Sequence, residues 1–330
     1  MIVSAVILTY RRQDLLPACL DSVREALGQL DGPSEIVVVD NASPGNIATV
    51  SLSTLFPQAR VVTLTENLGY SGGLHAGLDV ARGDWILTIG DDATIEPTAV
   101  AAMLAAGRSG CDVGSVAAKM LFADRSQGDV VNSAGLEVDR LGTAVDRLVG
   151  KPSADAETET TEVFGTSGGA ALYRRAMLDA IGGFDTSFGL YLEDADVAWR
   201  ARMAGWRCLF EPRAVVHHHH SATTRHRSDS KYFHVGRNRV RMLAKNATLG
   251  HLLRYGPLIV LYDLTYVVYA LIVDRTGAPI RGRVQGLREW RHYRNEQPAR
   301  RPVELTAAHG VRAALGRNAA ASARTSEQRS

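Results

Sequence analysis

Two carboxylates stand side by side, Asp91 and Asp92, behind an apolar run over 85–89 that is closed by Gly90. Neighbouring carboxylates repel unless something positive lies between or beside them. The natural occupant is a divalent cation, and hard cations such as Mg2+ or Mn2+ take oxygen ligands and share them with a substrate phosphate. The plain alternative is a solvated turn, or a cap on the helix that starts near Pro97. A second acidic group, Glu193-Asp194-Ala195-Asp196, opens a helix pattern that ends at Gly205. Carboxylates in a first turn suit the helix dipole, about 0.3–1 kcal/mol each. The same dipole favours the ionised form that a general base must have, so one of the three is a candidate base. A run of four histidines, His217 to His220, follows a strand pattern. Alternation along a strand points only two of the four the same way. A single histidine is more often a satisfied core residue than a ligand. This run sits in a chain already suspected of holding a metal, so one of them is read as a candidate ligand.

These groups need elements to carry them. Apolar runs at 2–8, 36–39, 61–65 and 85–89 alternate with helix patterns at 15–27, at 47–56, after the 67–73 motif to Ala81, and at 97–106. Asp14 caps the first helix. Strand, polar loop and helix thus repeat four times, which spells right-handed βαβ units. The expected fold class is α/β: a mostly parallel central sheet flanked by helices, with a C-terminal helical extension. Ligands bind at the carboxyl ends of such strands, and three ends carry suitable residues: Thr9, Asp40 and the Asp91-Asp92 pair. No G-x-G-x-x-G follows the first strand, and no G-x-x-x-x-G-K-[ST] occurs anywhere. A fifth strand is expected at 113–118, then hairpins with a mobile loop near 151–161, a strand at 170–173, a helix at 174–181 and strands at 206–210 and 214–217.

A chain of 330 residues holds one large or two ordinary domains. Its 45% hydrophobic and 22% charged content is that of a globular protein with a sizeable core. Cys19, Cys111 and Cys208 show no ligand spacing. They fit a reducing compartment and are read as small core residues. Met1 leads straight into a strand pattern, so no secretory signal is expected. Net charge is +2, but residues 276–330 hold eleven Arg, no Lys and four Glu, a balance of +7 that leaves −5 for the rest. A basic end seeks an anionic surface. With 6% aromatic residues and no nucleic-acid motif, that surface is read as membrane and not nucleic acid.

The helix expected over 231–246 carries Arg237, Asn238, Arg239, Arg241 and Lys245. The sixteen residues 258–273 are apolar or aromatic except Asp263 and Thr265. That is short of the roughly 20 needed to span a bilayer. Tyr262, Tyr266 and Tyr269 share one face, so an interfacial or core-packed helix is expected. Arg254, Arg275, Arg281, Arg283 and Arg288 would suit anionic headgroups. The Arg/Ala/Ser-rich tail from 296 is expected to be disordered.

Taken together, Val6-Ile7-Leu8-Thr9-Tyr10, Val37-Val38-Val39-Asp40-Asn41-Ala42-Ser43, Asn67-Leu68-Gly69-Tyr70-Ser71-Gly72-Gly73, Asp91-Asp92, Gly182-Gly183-Phe184-Asp185 and Glu193-Asp194-Ala195-Asp196 occur in a familiar order. In this the chain resembles family 2 glycosyltransferases with the GT-A fold, over about residues 2–246. The His-rich strand end with Ser221-Ala222-Thr223, and Lys231-Tyr232-Phe233 before Arg237-Asn238, are similar to the bacterial rhamnosyltransferase and galactofuranosyltransferase branch. The chain departs from that branch at Gly90-Asp91-Asp92, where Asn-Pro-Asp is common, and at His75, where Asn is common.

The resemblance implies roles. Asp40 would contact a pyrimidine base, with Thr9, Tyr10, Arg11 and Asn41 about the nucleotide. Asn67, Gly69 and Gly72 would lie along the ribose and diphosphate. Asp92 and His218 would hold Mg2+ or Mn2+, with Asp91 as helper. Asp194 would be the base, and Gly168, Gly169, Glu193 and Trp199 would meet the acceptor. The domains would be 1–230 (nucleotide half 1–120, acceptor and catalytic half 121–230), a helical extension over 231–295 and a tail over 296–330. The implied activity is inverting, metal-dependent transfer of rhamnose or a similar sugar from dTDP-L-rhamnose or a UDP-sugar to a glycan or lipid-linked acceptor, in cell-envelope polysaccharide synthesis. The implied place is the cytoplasm, with contact at the inner face of the membrane and a homo-oligomer both left open. Two rivals share the sheet. One is a sugar-nucleotide pyrophosphorylase, which would open with a Gly-rich loop where Thr9-Tyr10-Arg11-Arg12 stands. The other is a non-catalytic, glycan- or membrane-binding transferase homologue.

Overall fold

The computed structural model describes residues 2–12, 14–44, 56–124, 126, 128–219, 228–296 and 300–307. The helix expected at 47–56, His220, Ser221-Ala222-Thr223 and most of the tail from 296 lie outside the described residues. The chain divides into two compact units, Met1–Leu136 with Asp146–His220, and Glu137–Val145 with Ser221–Ser330.

The first unit is built on a mixed, mostly parallel sheet. β1 (Val3–Thr9) is buried at every position, as a strand covered on both faces must be. It lies parallel to β2 (Ser34–Asp40) on one side and to β4 (Trp85–Gly90) on the other, and β3 (Arg60–Thr63) extends the parallel set beyond β2. The parallel strands of the expected βαβ run are therefore present; the helix expected between β2 and β3 lies outside the described residues. α1 (Leu16–Gly28) and α3 (Ala99–Arg108) cover one face, around Leu20, Leu87, Met103 and Leu172. α2 (Gly69–Val80) covers the other, around Val6, Val37, Leu74 and Tyr173.

Beyond β4 the sheet changes sense. β11 (Ala170–Arg174) runs antiparallel between β4 and β6 (Val113–Phe122). β12 (Arg207–His218) then runs parallel to β6, and β10 (Thr161–Val163) closes the edge. β12 is one strand of 12 residues, not the expected two. Pro212 reads as a breaker, yet it sits where the register shifts between Glu211 and Val215, and a bulge is where a strand accepts proline. Glu211, fully buried there, accepts from the Arg213 guanidinium at 2.7 Å and the Thr160 hydroxyl at 2.8 Å.

Residues 124–162 match expectation in part: Leu136–Val138 and Ala144–Asp146 form the expected hairpin. β7 (Val131–Ser133) pairs with β6. The stretch expected as a mobile loop is tied down by backbone bonds from Val131 N to Lys151 O and from Ser153 N to Asp129 O, both 2.8 Å. Main-chain pairing, not hydrophobic periodicity, orders it. Cys19 and Cys208 are buried as expected, whereas Cys111 is exposed.

The second unit is helical: α6 (Asp229–Asn246), α7 (Leu249–Ile272), α8 (Ala278–Arg288) and α9 (Trp290–Glu296). Ser228 caps α6 by accepting from Lys231 N at 3.2 Å. α8 lies hard against α6, because a Cβ on Gly282 would sit 2.1 Å from Phe233 O. Arg239 and Arg283 both donate to Asp263, at 3.0 and 2.7 Å. Arg239 also reaches the carbonyls of Leu141 and Gly142, each at 2.7 Å. Arg283 is therefore an internal partner of Asp263, not a headgroup ligand. α7 has 24 residues, eight more than the apolar run. It starts at the Thr248 cap, whose hydroxyl accepts from His251 N at 3.1 Å, and carries Pro257 within it.

Candidate active site

The C-terminal ends of β1, β2 and β4 lie along one edge, since Thr9 is opposite Asp40 and Leu8 opposite Gly90. Asp40 is fully buried. Its Oδ1 accepts from Ser43 N at 2.9 Å, while its Oδ2 is buried with no hydrogen-bond partner among the described residues. Such an oxygen costs free energy unless a donor arrives. Ser43 Oγ in turn accepts from Arg11 N at 3.0 Å. Arg11 stands in the left-handed region, φ +62°, and stacks its guanidinium 5.0 Å from the centre of the Tyr10 ring. A cavity of about 390 Å3 is lined there by Arg11, Asp14, Ser43 and Pro44.

Asn41 spends its amide on the chain. Its Nδ2 donates to Asn67 Oδ1 at 3.1 Å and Gly69 O at 3.0 Å, and its Oδ1 accepts from Leu68 N at 2.9 Å. It clamps the 67–69 turn to the end of β2. Gly69 has φ +73°, and a Cβ there would lie 2.7 Å from Gly189 O and 2.8 Å from Gly189 Cα. Ser71 N donates to that same carbonyl at 2.9 Å. Gly69→Ala therefore meets both a forbidden backbone and a clash. The expected loss is more than about 1 kcal/mol of stability, together with weaker nucleotide binding as the turn shifts. Thermal unfolding and calorimetric titration with nucleotide check both. Gly72 permits a similarly close turn, since its Cβ would come within 2.6 Å of Leu68 Cβ.

The acidic pair divides its labour. Asp91, 7% exposed, has its carboxyl pushed up to about 7 by burial and by the charge of Asp92, against hydrogen bonds from Thr9 and the Tyr10 amide. Asp92 is likewise raised by burial, but the hydrogen bond and charge of His218 outweigh this and hold it below the ordinary carboxylate range. Neither caps a helix: β5 (Ala93–Ile95) comes between them and α3. β5 pairs antiparallel with β12, placing His218 opposite Ala93, and His219 N donates to Asp92 O at 2.9 Å. His218 Nε2 thus comes 3.3 Å from Asp92 Oδ1. Its Nδ1 lies 2.9 Å from Asn132 Oδ1. With the ring proton on Nδ1 the Nε2 lone pair would face the carboxylate, as a shared cation needs; with both nitrogens protonated Nε2 donates to Asp92. Two acceptors so placed call for a cation or a proton between them. His217 points the other way, to Glu96 Oε1 at 3.1 Å.

This pair passes the test of fit for a hard divalent cation. Adjacent ligands with bonds of about 2.1 Å at right angles stand roughly 3 Å apart. No cluster of three or more His, Cys, Asp or Glu suited to a metal occurs among the described residues. Two protein ligands with room for phosphate oxygens is the arrangement Mg2+-type sites use.

Asp194 sits in the first turn of α5 (Glu193–Met203). Its Oδ1 accepts from Ala195 N at 2.7 Å and its Oδ2 from Gly168 N at 2.9 Å. Its carboxyl is raised to about 6 by burial and by the charge of Asp146, against those two amides. Glu193, 6% exposed, is pushed well above the carboxylate range by burial and the charge of Asp194. A Cβ on Gly168 would touch Asp194 Oδ2 and Glu193 Oε1, both at 3.5 Å. Asp196 is fully buried and paired to Arg200 at 2.7 Å, so it braces the helix.

Gly168 and Gly169 join the two carboxylate groups. Gly168 N holds Asp194, and Gly169 O accepts from Gly90 N at 3.0 Å. A Cβ on Gly169 would lie 3.6 Å from His218 Cε1. Tyr70 OH also donates to Gly168 O. Asp92, His218 and Asp194 therefore flank one two-residue loop. Trp199, expected at the acceptor, is instead 2% exposed and edge-on to Phe164 in the core. The pattern missed Asn132, Asp146 and Tyr70. The first two come from the stretch with the weakest periodicity. Tyr70 stood within a quoted motif but had no partner visible in sequence.

The family model of glycosyl transferase family 2 matches residues 4–182, more than half the chain. N-acetylglucosaminyl-diphospho-decaprenol L-rhamnosyltransferase of Mycobacterium tuberculosis is 25% identical over 214 residues, 58% of this chain and 68% of that protein. Undecaprenyl-phosphate 4-deoxy-4-formamido-L-arabinose transferase of Serratia proteamaculans is 32% identical over 114 residues, but these are 34% of this chain and only 35% of that one. Among solved structures, GalNAc-T7 with UDP, GalNAc and Mn2+ aligns at TM-score 0.61 and 14% identity, over 89% of this chain and 54% of that one. The mannosyltransferase PcManGT of Pyrobaculum calidifontis, in complex with GDP-Man and Mn2+, aligns at 0.53 and 18%, over 99% and 88%. At such identities these likenesses establish the fold, which is of GT-A type, as expected. The chain belongs to glycosyl transferase family 2.

Proposed function

We propose that this glycosyltransferase is inverting and divalent-cation-dependent, and that it moves rhamnose or a similar sugar from dTDP-L-rhamnose or a UDP-sugar to a lipid-linked or glycan hydroxyl. The observation that carries the reading is the approach of His218 Nε2 to 3.3 Å from Asp92 Oδ1, one loop away from Asp194. Relatives named for decaprenol- and undecaprenyl-linked sugars support the acceptor class. An acceptor of that kind resides in a membrane, so the enzyme works at the membrane's inner surface.

The unpartnered Oδ2 of Asp40 suits the imide N–H of uracil or thymine, a donor that cytosine lacks. Asp194 accepts the proton of the acceptor hydroxyl. The freed oxygen attacks the anomeric carbon as the bond from that carbon to the diphosphate oxygen breaks, and the bonding pair leaves with the diphosphate. One displacement from the face opposite the leaving group inverts the centre, as in one-step inverting glycosidases. Asp92 and His218 would hold Mg2+ or Mn2+, which would supply charge neutralisation for the departing diphosphate. Asp91, raised to about 7, is about half ionised near pH 7 and so adds less than a full charge beside Asp92. Burial and the charge of Asp194 push Glu193 further up than its neighbour, so Asp194 is the readier of the two to ionise.

A panel of dTDP-, UDP- and GDP-sugars, titrated by calorimetry with Mn2+ present, tests the donor. Carbon-proton coupling at the anomeric centre of the product tests inversion. Tightest binding by a GDP-sugar, or retention of configuration, overturns the reading.

A further inference from the structure

Thirteen of the fourteen large apolar side chains exposed among the described residues lie between Leu249 and Leu287. Leu261, Leu264 and Val268 form a stripe on α7, and Ile280, Val284 and Leu287 form another on α8 at helical spacing. Of the 24 residues of α7, only Ile259, Tyr262 and Ala270 are buried. Monomeric soluble proteins rarely show so much contiguous apolar surface without a partner for it.

The charges say what the partner is. Over 249–288 the exposed charged residues are Arg254, Arg275, Arg281 and Arg288, and no carboxylate is exposed. Asp263 faces inward to Arg239 and Arg283. The face is thus apolar with a basic rim, in which Arg281 also stands 3.6 Å from the exposed carboxylate of Asp229 at the start of α6. A second copy is a poor match, because a two-fold interface would set that rim against itself. The chain's own end is a poor match too, since residues 308–330 contain four Arg, one Glu and, as large apolar residues, only Val311 and Leu315. An anionic bilayer complements both features.

The features of α7 fit an arrangement in the plane of a bilayer better than a crossing one. At about 1.5 Å per residue α7 is long enough to span, and it is the one such helix among the described residues. Yet its mid-point carries Asp263 in two ion pairs on the side that packs within the unit, and an apolar stripe on the other. One protein face and one lipid face describe an interfacial helix. We propose that α7 and α8 form an in-plane docking face for an anionic phospholipid bilayer, in which the apolar stripes enter the headgroup–acyl boundary and Arg254, Arg275, Arg281 and Arg288 meet lipid phosphates. This stands apart from the choice of sugar.

The test is flotation of the full chain with phosphatidylcholine vesicles, with and without phosphatidylglycerol. The protein is expected to float only with the anionic lipid and to be released by high salt. Each arginine near such a surface is worth about five-fold in partition, so R281Q/R288Q should lower binding roughly 25-fold. L261E/L264E should abolish it while leaving cooperative unfolding and nucleotide affinity unchanged. Failure to float with anionic vesicles overturns the proposal. So does a dimer in light scattering that L261E/L264E dissolves without any vesicle binding. Resistance of the bound protein to alkaline carbonate extraction overturns the in-plane arrangement.

Discussion

Asp194→Asn should lower kcat about 100- to 10,000-fold, the usual contribution of a positioned general base, with donor affinity unchanged. The substitution keeps the shape and still offers an oxygen to the Gly168 or Ala195 amide, so what it removes is proton acceptance. The pH profile carries the sign. A base works ionised, and burial with the charge of Asp146 has raised this carboxyl to about 6. In the wild type, kcat/KM should therefore fall about tenfold per pH unit below about 6. Asp146→Asn removes one of the raising charges, so its acid limb should move to lower pH at nearly unchanged maximal rate. Stability runs the opposite way. A carboxyl raised in the folded state stabilises the fold below its unfolded value and loses that contribution as pH rises through about 6. Asp194→Asn should thus melt higher than the wild type at pH 8 though it is nearly inactive, a trade common at functional sites. Transfer by Asp194→Asn at close to the wild-type rate would remove Asp194 from the mechanism.

Asp92→Ala is the second large effect. Charge neutralisation at a leaving diphosphate is worth several kcal/mol, so turnover should drop by more than about a hundredfold. Nucleotide binding should also lose its dependence on Mn2+. His218→Ala should do the same, and the double variant should cost little more than either alone, because both hold one ion. Asn132→Ala discriminates further. It touches no substrate in this reading, yet it holds the His218 ring through the 2.9 Å contact with Nδ1. Loss of such a partner costs about 10- to 100-fold in metal affinity, and imidazole orientation is the cause. Calorimetric titration of Mn2+ in the presence of nucleoside diphosphate reads all three variants. If wild-type nucleotide binding is indifferent to divalent cations, the Asp92–His218 pair is no metal site.

The strands at the centre were legible because burial on both faces writes an uninterrupted apolar run, and Val3–Thr9, Ser34–Asp40 and Trp85–Gly90 are such runs. Their polar ends followed from the topology, which is why Asp40, Asp91 and Asp92 could be placed along one edge. The rest was hidden for physical reasons. Pro212 concealed a continuous strand because a bulge absorbs what a regular ladder cannot. Residues 124–162 are ordered by backbone pairing, which leaves no periodic trace, so Asn132 and Asp146 had no signal. Pro257 hid the first two turns of α7. Arg239 and Arg283 looked like parts of a basic face, because sequence does not reveal that Asp263 gathers both.

The course of the main chain bears on how this protein can be divided. Segment 137–145 belongs to the helical unit although residues on both sides of it belong to the sheet unit. It brings Val138 and Asp139, both fully buried, and the two carbonyls that Arg239 holds. The helical unit is thus discontinuous in sequence, with a nine-residue piece drawn from between two segments of the sheet unit. A single crossover near residue 220, of the kind that swaps modules between homologues, would strip those buried groups of their surroundings. Specificity grafts between relatives therefore need two junctions on the N-terminal side, or else must move the segment and the helices as one inheritance.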